Sequence, residues 1–542
     1  MNSKFNKNTI KSIIPRSIYD VARHIFYNIN PKTRHIDEQT KKFIMHNKKV
    51  WKAYSKNESE TEVLFELTTM EPNIISYTYL ANILANKHNA KIMAYSMPYS
   101  FGKNNLIPPK MRKLYNSFNA IVFSYSLKQG QVKELEELFS DIYPRLKNKK
   151  DVFNLTISNL WFGDLLYDFH LKEYKVPTVE INDTRFKNSL KKALFQYIYW
   201  RDYFNEHNVA AINVTHCCYL TGIPLRVAIH NNVPAYQCNI HGCYNMTKDR
   251  LWAYTDFYDY PTTFDKLDND EKIYGIKIAK ERIDKRFAGV IGVDMHYSTK
   301  SAYTDKKVDK VLSNSNKIKI LIAVHCFFDS PNGLGKNLFI DFYEWLTFLG
   351  NISEKSDYEW YIKTHPDAIP QNFPILEEFI RKYPKFTMIP KETSHHQIIE
   401  EGIDFALSVY GTIGFEYASL GKTVISASLS NPHIGYNFNI HPKNIMKYEE
   451  ILMNLAVINL EIKKDDVYEY YYMKNIKNDM QDWLIDDYHD FTKNIGSYKN
   501  QFFSVVYEKF LDIYSQKKHL EKIKLLENFI DSKEYCMQKK HY

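Results

Sequence analysis

Three things are scarce in this 542-residue chain: cysteine, glycine and long apolar runs. No stretch approaches the roughly 20 uninterrupted apolar residues that a membrane-spanning helix needs. The opening MNSKFNKNTIKSIIPRSIYDVARHIFYNI lacks the continuous apolar core and small-residue cleavage site of a secretory leader. Six cysteines, at 217, 218, 238, 243, 326 and 536, are too few and too irregular for a disulfide framework. The expected compartment is therefore the reducing cytoplasm. His216-Cys217-Cys218 misses the usual Cys-x2–4-Cys spacing of zinc sites, and Cys238 and Cys243 read better as small buried thiols flanking a cleft. No convincing strand-end Asp-x-Asp appears either, so neither a metal nor a cofactor is expected.

What is present is an ordinary globular composition, 44% apolar and 25% charged, with many aromatics at 15%. The length exceeds what one core supports, so two principal domains with appendages are expected. The net charge of +9 is uneven: residues 1–50 hold 11 Lys/Arg against 3 Asp/Glu, and the rest 61 against 60. A neutral body excludes a general nucleic-acid binder, which carries its basic footprint on the folded domain. In the basic start, Ile14, Ile18, Val21, Ala22, Ile25, Phe26 and Ile29 recur at helical spacing between Lys11, Arg16 and Arg23. Two readings stand for it. It lies on an anionic membrane surface, making the protein peripheral on the inner face of the cell membrane, or it packs on its own protein with a solvated basic face.

From residue 61 strand and helix patterns alternate, the signature of βαβ units and a parallel sheet. Strands are read at Glu62–Leu67, Ala90–Tyr95, Asn119–Tyr125, Val209–Val214 and Asn232–Gln237, with an all-helical insert near 150–175. Residues 246–315 are polar and weakly patterned and read as an inter-domain region. A second series opens with the β-branched run Lys317–Val324 and continues with strands Glu359–Lys363, Phe386–Ile389, Phe405–Val409 and Thr423–Ser426. The predicted organisation is a basic helical segment (1–60), a first Rossmann-like acceptor domain (61–300), a second nucleotide-sugar domain (301–446) and a helical extension (447–542).

The sharpest motif runs from Asp404 to Ile425. A buried strand ends at Val409, the turn Tyr410-Gly411-Thr412-Ile413 follows, and a helix begins near Gly414 and stops at Gly421. Such a turn offers free N–H groups to an anion. Gly411 and Gly414 admit close backbone approach, Thr412 adds a hydroxyl, and Glu416 can accept sugar hydroxyls. In Trp360-Tyr-Ile-Lys363-Thr-His365-Pro-Asp367, a histidine follows a strand end, where it can bind a phosphate and give it a proton. His325 and Asp329, in the glycine-containing loop His325–Gly335, are further donor or acceptor contacts. Ser394 and Gln397 read as a capping box, leaving His395 and His396 as first-turn surface residues. In the first domain Glu71 and Asp164, with His216 as a rival, are candidates for the base that deprotonates an acceptor.

The order Lys363-Thr-His-Pro, then Gly411-Thr-Ile-Gly-Phe-Glu416, then Leu420-Gly-Lys-Thr-Val-Ile425 resembles the donor half of bacterial capsule-type GT-B glycosyltransferases. It is most similar to transferases that use CMP-activated Kdo or sialic acid, over roughly residues 318–430. The resemblance implies two Rossmann-like parallel-sheet domains facing a cleft. It also implies metal-independent, inverting transfer from a nucleotide-sugar donor to a glycan or lipid-linked glycan, with His365 and Thr412 on the donor phosphate. Lys363, Gly411, Ile413, Gly414 and Glu416 fall in the same donor-binding tract. Two further enzymes fit paired Rossmann domains, a nucleotide-sugar epimerase and a CDP-polyol phosphotransferase. A non-catalytic glycan-assembly scaffold is the third alternative.

Overall fold

A computed structural model describes residues 35–56, 58–98, 107–294, 300–365, 367–495 and 498–541. The basic stretch from Lys11 to Ile29 lies outside the described residues.

The first sheet is built from β1 (Thr61–Glu66), β2 (Lys91–Ser96), β3 (Ala120–Ser124), β6 (Asn208–Val214), β7 (Ala235–Asn239) and β8 (Gly242–Met246). Its order is β3-β2-β1-β6-β7-β8, parallel except for β8, which runs antiparallel to β7. Strands such as Thr61–Glu66 read as near-continuous apolar runs because both sheet faces are covered. The sequence reading missed β8, which follows β7 after only Ile240 and His241 and carries little apolar signal. The insert is not all helical either: β4 (Thr156–Ile157) and β5 (Leu160–Trp161) form a small hairpin between helices Lys149–Phe153 and Gly163–Tyr174. Two-residue strands are too short to show a period.

Helix Glu71–His88 is buried from Pro72 to Ala85, so it has almost no amphipathic stripe. One side faces the sheet. The other is covered by the end of the chain: Val506, Tyr507, Phe510, Leu525, Leu526 and Phe529 share its core. Tyr79 Oη lies 3.1 Å from His519 Nδ1, and the Met537 N–H donates to the Cys243 carbonyl at 2.8 Å.

The second sheet has β9 (Lys319–Ala323), β10 (Glu359–Lys363), β11 (Phe386–Met388), β12 (Phe405–Ser408) and β13 (Thr423–Ser426), all parallel, in the order β11-β10-β9-β12-β13. In each sheet the chain works outward from a central strand and then reverses, between β1 and β6 in one and β9 and β12 in the other. Such reversals open a crevice at the carboxyl ends of the strands. Two Rossmann-like parallel-sheet domains with helical additions make the architecture GT-B.

The chain crosses from the first domain to the second through the stretch read as weakly patterned, which in fact holds the 19-residue helix Asn269–Phe287. It buries only Gly275, Ala279 and Ile283, too sparse a stripe to show a period. It packs on helix Lys464–Tyr472, which carries the chain back; a Cβ at Gly275 would sit 2.7 Å from the Tyr472 ring. Polar contacts also join the domains. The fully buried Asp341 carboxylate accepts from Tyr167 Oη at 2.5 Å and Thr178 Oγ1 at 2.7 Å, and Asp168 accepts from the Asn332 side chain at 2.8 Å. Among the described residues no helix is long and apolar enough to cross a membrane.

Candidate functional site

A cavity of about 330 Å³ opens where the second sheet reverses. Its walls come from the segments after β9 (Val324, His325), β10 (Thr364, His365) and β12 (Tyr410 to Ile413), with Lys363 and Ser408 at the strand ends. Arg286, Val290 to Val293 and Ser301 to Tyr303, from the crossing segment, close it.

Thr412 and His365 are both exposed to this space. The His365 ring has a defined tautomer, because its Nδ1 accepts the Asp367 N–H at 3.0 Å. The proton of the neutral ring is therefore on Nε2. Solvent reaches one edge of the ring, yet desolvation by the cavity wall pushes its pKa down, and the nearby Asp367 and Glu416 only partly offset this. At the turn the N–H groups of Thr412 and Ile413 precede the first intrahelical bond of the short helix Ile413–Ser419, so no helical carbonyl takes them.

His325 plays a different part. Its Nε2 accepts the Val409 N–H at 3.3 Å and lies 3.2 Å from Ser408 Oγ, which in turn accepts the Gly411 N–H at 3.1 Å. The ring stacks on Phe342 with centroids 4.8 Å apart. Burial, then the nearby His365, pushes its pKa down to about 4, so it stays neutral and holds the turn as an acceptor. Lys363 is buried and donates to the carbonyls of Thr393 (2.7 Å) and Lys391 (3.2 Å); burial pushes it down to about 8.

Several residues sit otherwise than the sequence suggested. Glu416 lines the cavity, but its carboxylate is held by the Arg286 guanidinium and by Tyr303 Oη at 2.9 Å. Burial pushes this carboxyl up, and Arg286 and His395 more than offset it. It therefore fixes the cavity wall and is not open to sugar hydroxyls. Gly414 does not line the cavity; a Cβ there would meet the buried His433 ring at 2.4 Å, so the missing side chain serves packing. Asp329 pairs with Lys172 (2.8 Å) and Tyr219 Oη (2.9 Å) at the domain boundary and stays outside the cavity. His395 is not a surface residue. It is buried in the cavity wall with Nδ1 2.7 Å from Tyr417 Oη, because the helix it opens starts on the ligand edge of the sheet. The capping box is half formed: Ser394 caps His396 N–H, but the Gln397 amide turns to the Val308 backbone.

Of the first-domain candidates, Asp164 is 1% exposed and both its oxygens accept from Arg226, at 2.8 and 2.6 Å. A carboxylate sealed in such a pair and closed to solvent is out of reach of an acceptor hydroxyl, so Asp164 is a structural residue and not the expected base. His216 is exposed at the end of β6 and lies outside the cavity. Glu71 begins the helix after β1; its Oε2 is buried without a partner, and burial pushes its pKa up to about 7. Arg286 and Ser408 were missed by sequence reading, since a helix-end arginine and a strand-end serine carry no motif. Among the described residues no group of three His, Cys, Asp or Glu side chains is arranged to hold a metal.

No family model matches the chain, and no curated protein is similar to it. Among solved structures it is similar to a KpsC beta Kdo 2,4 transferase of Thermosulfurimonas dismutans, at 12% identity over 49% of this chain and 79% of that one, with a TM-score of 0.30. A UDP-GlcNAc 2-epimerase of Neisseria meningitidis matches at 11% identity over 83% and 99%, TM-score 0.21. MurG of Acinetobacter baumannii matches at 10% over 76% and 94%, TM-score 0.23. Likenesses at these scores carry no weight for activity, which has to be read from the site itself.

Proposed function

We propose that this protein is a glycosyltransferase that moves a sugar from a nucleotide-activated donor, with a CMP-sugar favoured, to a surface polysaccharide or related glycan. The carrying observation is that His365 and Thr412, from separate strands, open onto one cavity at the reversal of the second sheet. That cavity offers an anion the Nε2–H of His365, the Thr412 hydroxyl and the unpaired N–H groups of the turn. The exposed side chains of Val290 and Ile291 at its rim give a nucleobase an apolar surface.

In this reading the acceptor oxygen attacks the anomeric carbon from the face opposite the nucleotide, which inverts the centre. The bond from that carbon to the phosphate oxygen breaks, and its electron pair leaves with the nucleotide. His365, its ring protonated once the donor phosphate is bound, stabilises the departing phosphate and gives it the Nε2 proton, returning to the neutral ring, and the Glu71 carboxylate takes the acceptor hydroxyl's proton. A carboxyl held near 7 is suited to that exchange at neutral pH. Lys363 and His325 position the strand ends.

Thermal-shift titration with CMP, CDP, UDP and GDP tests the reading, because a bound nucleotide raises apparent stability by mass action. CMP is expected to give the largest shift, and incubation with a CMP-sugar is expected to release CMP. If none of the four nucleotides shifts the wild-type protein, or the His365→Ala variant shifts and turns over like the parent, the reading fails.

A further inference from the structure

Two smaller cavities continue from the first. One of about 180 Å³ shares Arg286, Tyr410 and Thr412 with it. The next, about 250 Å³, shares Asp294, Lys474 and Asn475 with the second and reaches the first domain at His241, Tyr244 and Tyr254. His241 sits in the tight β7–β8 connection at the carboxyl edge of the first sheet. The neighbouring Ile240 N–H donates to Asn73 Oδ1 at 3.3 Å, in the same helical turn as Glu71. The three spaces thus form a path from the phosphate turn of one domain to the strand ends of the other.

The last space has a particular chemistry. Asp294 is already engaged by Arg282 (2.7 Å) and Tyr471 (2.5 Å). Asp256 is 6% exposed; its Oδ2 accepts from Tyr260 Oη at 2.9 Å, while its Oδ1 is buried with no partner. Asp479 accepts the Gln481 N–H at 3.0 Å, and burial pushes its pKa up. His241 is neutral, pushed down to about 4 by burial. Three carboxylates line the space against Lys474 and the Arg282 that engages Asp294, so it still holds an excess of acceptors, wants hydrogen-bond donors and disfavours an acid. The rings of Tyr244 and Tyr254, edge to face at 4.9 Å, add an aromatic wall. Apolar faces of a sugar ring pack on such rings while its hydroxyls donate to carboxylates. Lys474 and Asn475 lie in a π-helical turn over Met473–Lys477, a rare geometry that is frequent at functional sites.

We infer that the cavity lined by His241, Tyr244, Tyr254, Asp256, Lys474 and Asp479 binds the acceptor, and that the acceptor unit it takes is an uncharged, hydroxyl-rich sugar. This inference rests on the glycosyltransferase reading and specifies its second substrate. The returning crossing segment, and not the first domain alone, supplies half of the acceptor site.

The test is saturation-transfer NMR on the full chain with CMP present, using methyl α-glucoside, methyl β-galactoside, N-acetylglucosamine and glucuronic acid as probes. At least one neutral probe is expected to bind, with glucuronic acid weaker. Asp479→Asn and His241→Ala are each expected to weaken it about tenfold, the scale of one or two lost hydrogen bonds. The CMP thermal shift should stay at the wild-type value in both variants. The inference is overturned if no neutral probe binds the wild-type protein, if glucuronic acid binds more tightly, or if both variants bind like the parent. A lost CMP shift with the sugar signal intact would instead overturn the donor reading, so the two failures are distinguishable.

Discussion

His325 Nε2 stands 3.2 Å from Ser408 Oγ, tying the end of the central strand of the second sheet to the turn after its neighbour. The ring lines the cavity and holds the backbone that presents Thr412. Ser408→Ala should therefore weaken CMP binding by about 1 kcal/mol, roughly fivefold. His325→Ala, which also unseats the stack on Phe342, should cost about tenfold or more, with kcat at saturating donor little changed. Calorimetric titration with CMP and steady-state kinetics separate these effects; a fall in kcat alone would give His325 a chemical role instead.

His365 should act on turnover. His365→Ala is expected to lower kcat by about 100-fold, the scale of acid–base groups. The pH dependence has a definite sign. In the free protein desolvation holds the His365 pKa below its ordinary 6.5, whereas a bound phosphate raises it. Between those two values the complex holds more protons than the free protein, so CMP binding takes up a proton and tightens as pH falls through that window. Titrations in buffers of different ionisation enthalpy measure the uptake. Its persistence in His365→Ala would assign the proton elsewhere.

Asp164 and Arg226 form a pair with 1% and 3% side-chain exposure. Removing one partner of a buried pair strands the other, so Asp164→Asn should destabilise the first domain by about 3–5 kcal/mol. A denaturant midpoint reads this, and CMP binding by the folded variant should be normal. A stable Asp164→Asn protein without turnover would restore Asp164 as a catalytic residue.

Gly414→Ala places a methyl 2.4 Å from His433 Cε1 and 2.5 Å from its Nδ1. The ring is enclosed by Phe415, Phe438 and Tyr470, so it cannot swing clear. A loss of about 1–3 kcal/mol is expected, as for other overpacked cores, partly relieved by His433→Ala in the same chain. A double variant no more stable than Gly414→Ala would place the clash at Asn439 Nδ2, 2.8 Å from the same methyl.

The parts of this protein legible in its sequence are those set by local pattern. Strands Glu359–Lys363 and Thr423–Ser426 stand where short continuous apolar runs and turn residues put them, because both lie in a sheet covered on two faces. The turn at Tyr410–Ile413 was visible for the same reason: a buried strand, a glycine and a helix stop at Gly421, whose φ is +74°. Glu416 and Asp164 were misread because their partners, Arg286 and Arg226, are 130 and 62 residues away. A carboxylate's availability depends on what faces it, and no local spacing reports that. The acceptor path was equally hidden, since its walls join residues 241–256 to 474–481 and include part of one π-helical turn.

The return of residues 483–537 to the core of helix Glu71–His88 bears on the order of synthesis. A ribosome releases the strands of the first sheet early, yet their covering layer emerges last. The second domain, complete by about residue 457, is free to fold while the first still waits, exposing the apolar flank of its central helix. A premature stop in the last helices would thus strip the N-terminal half of the protein and spare the half nearer the break.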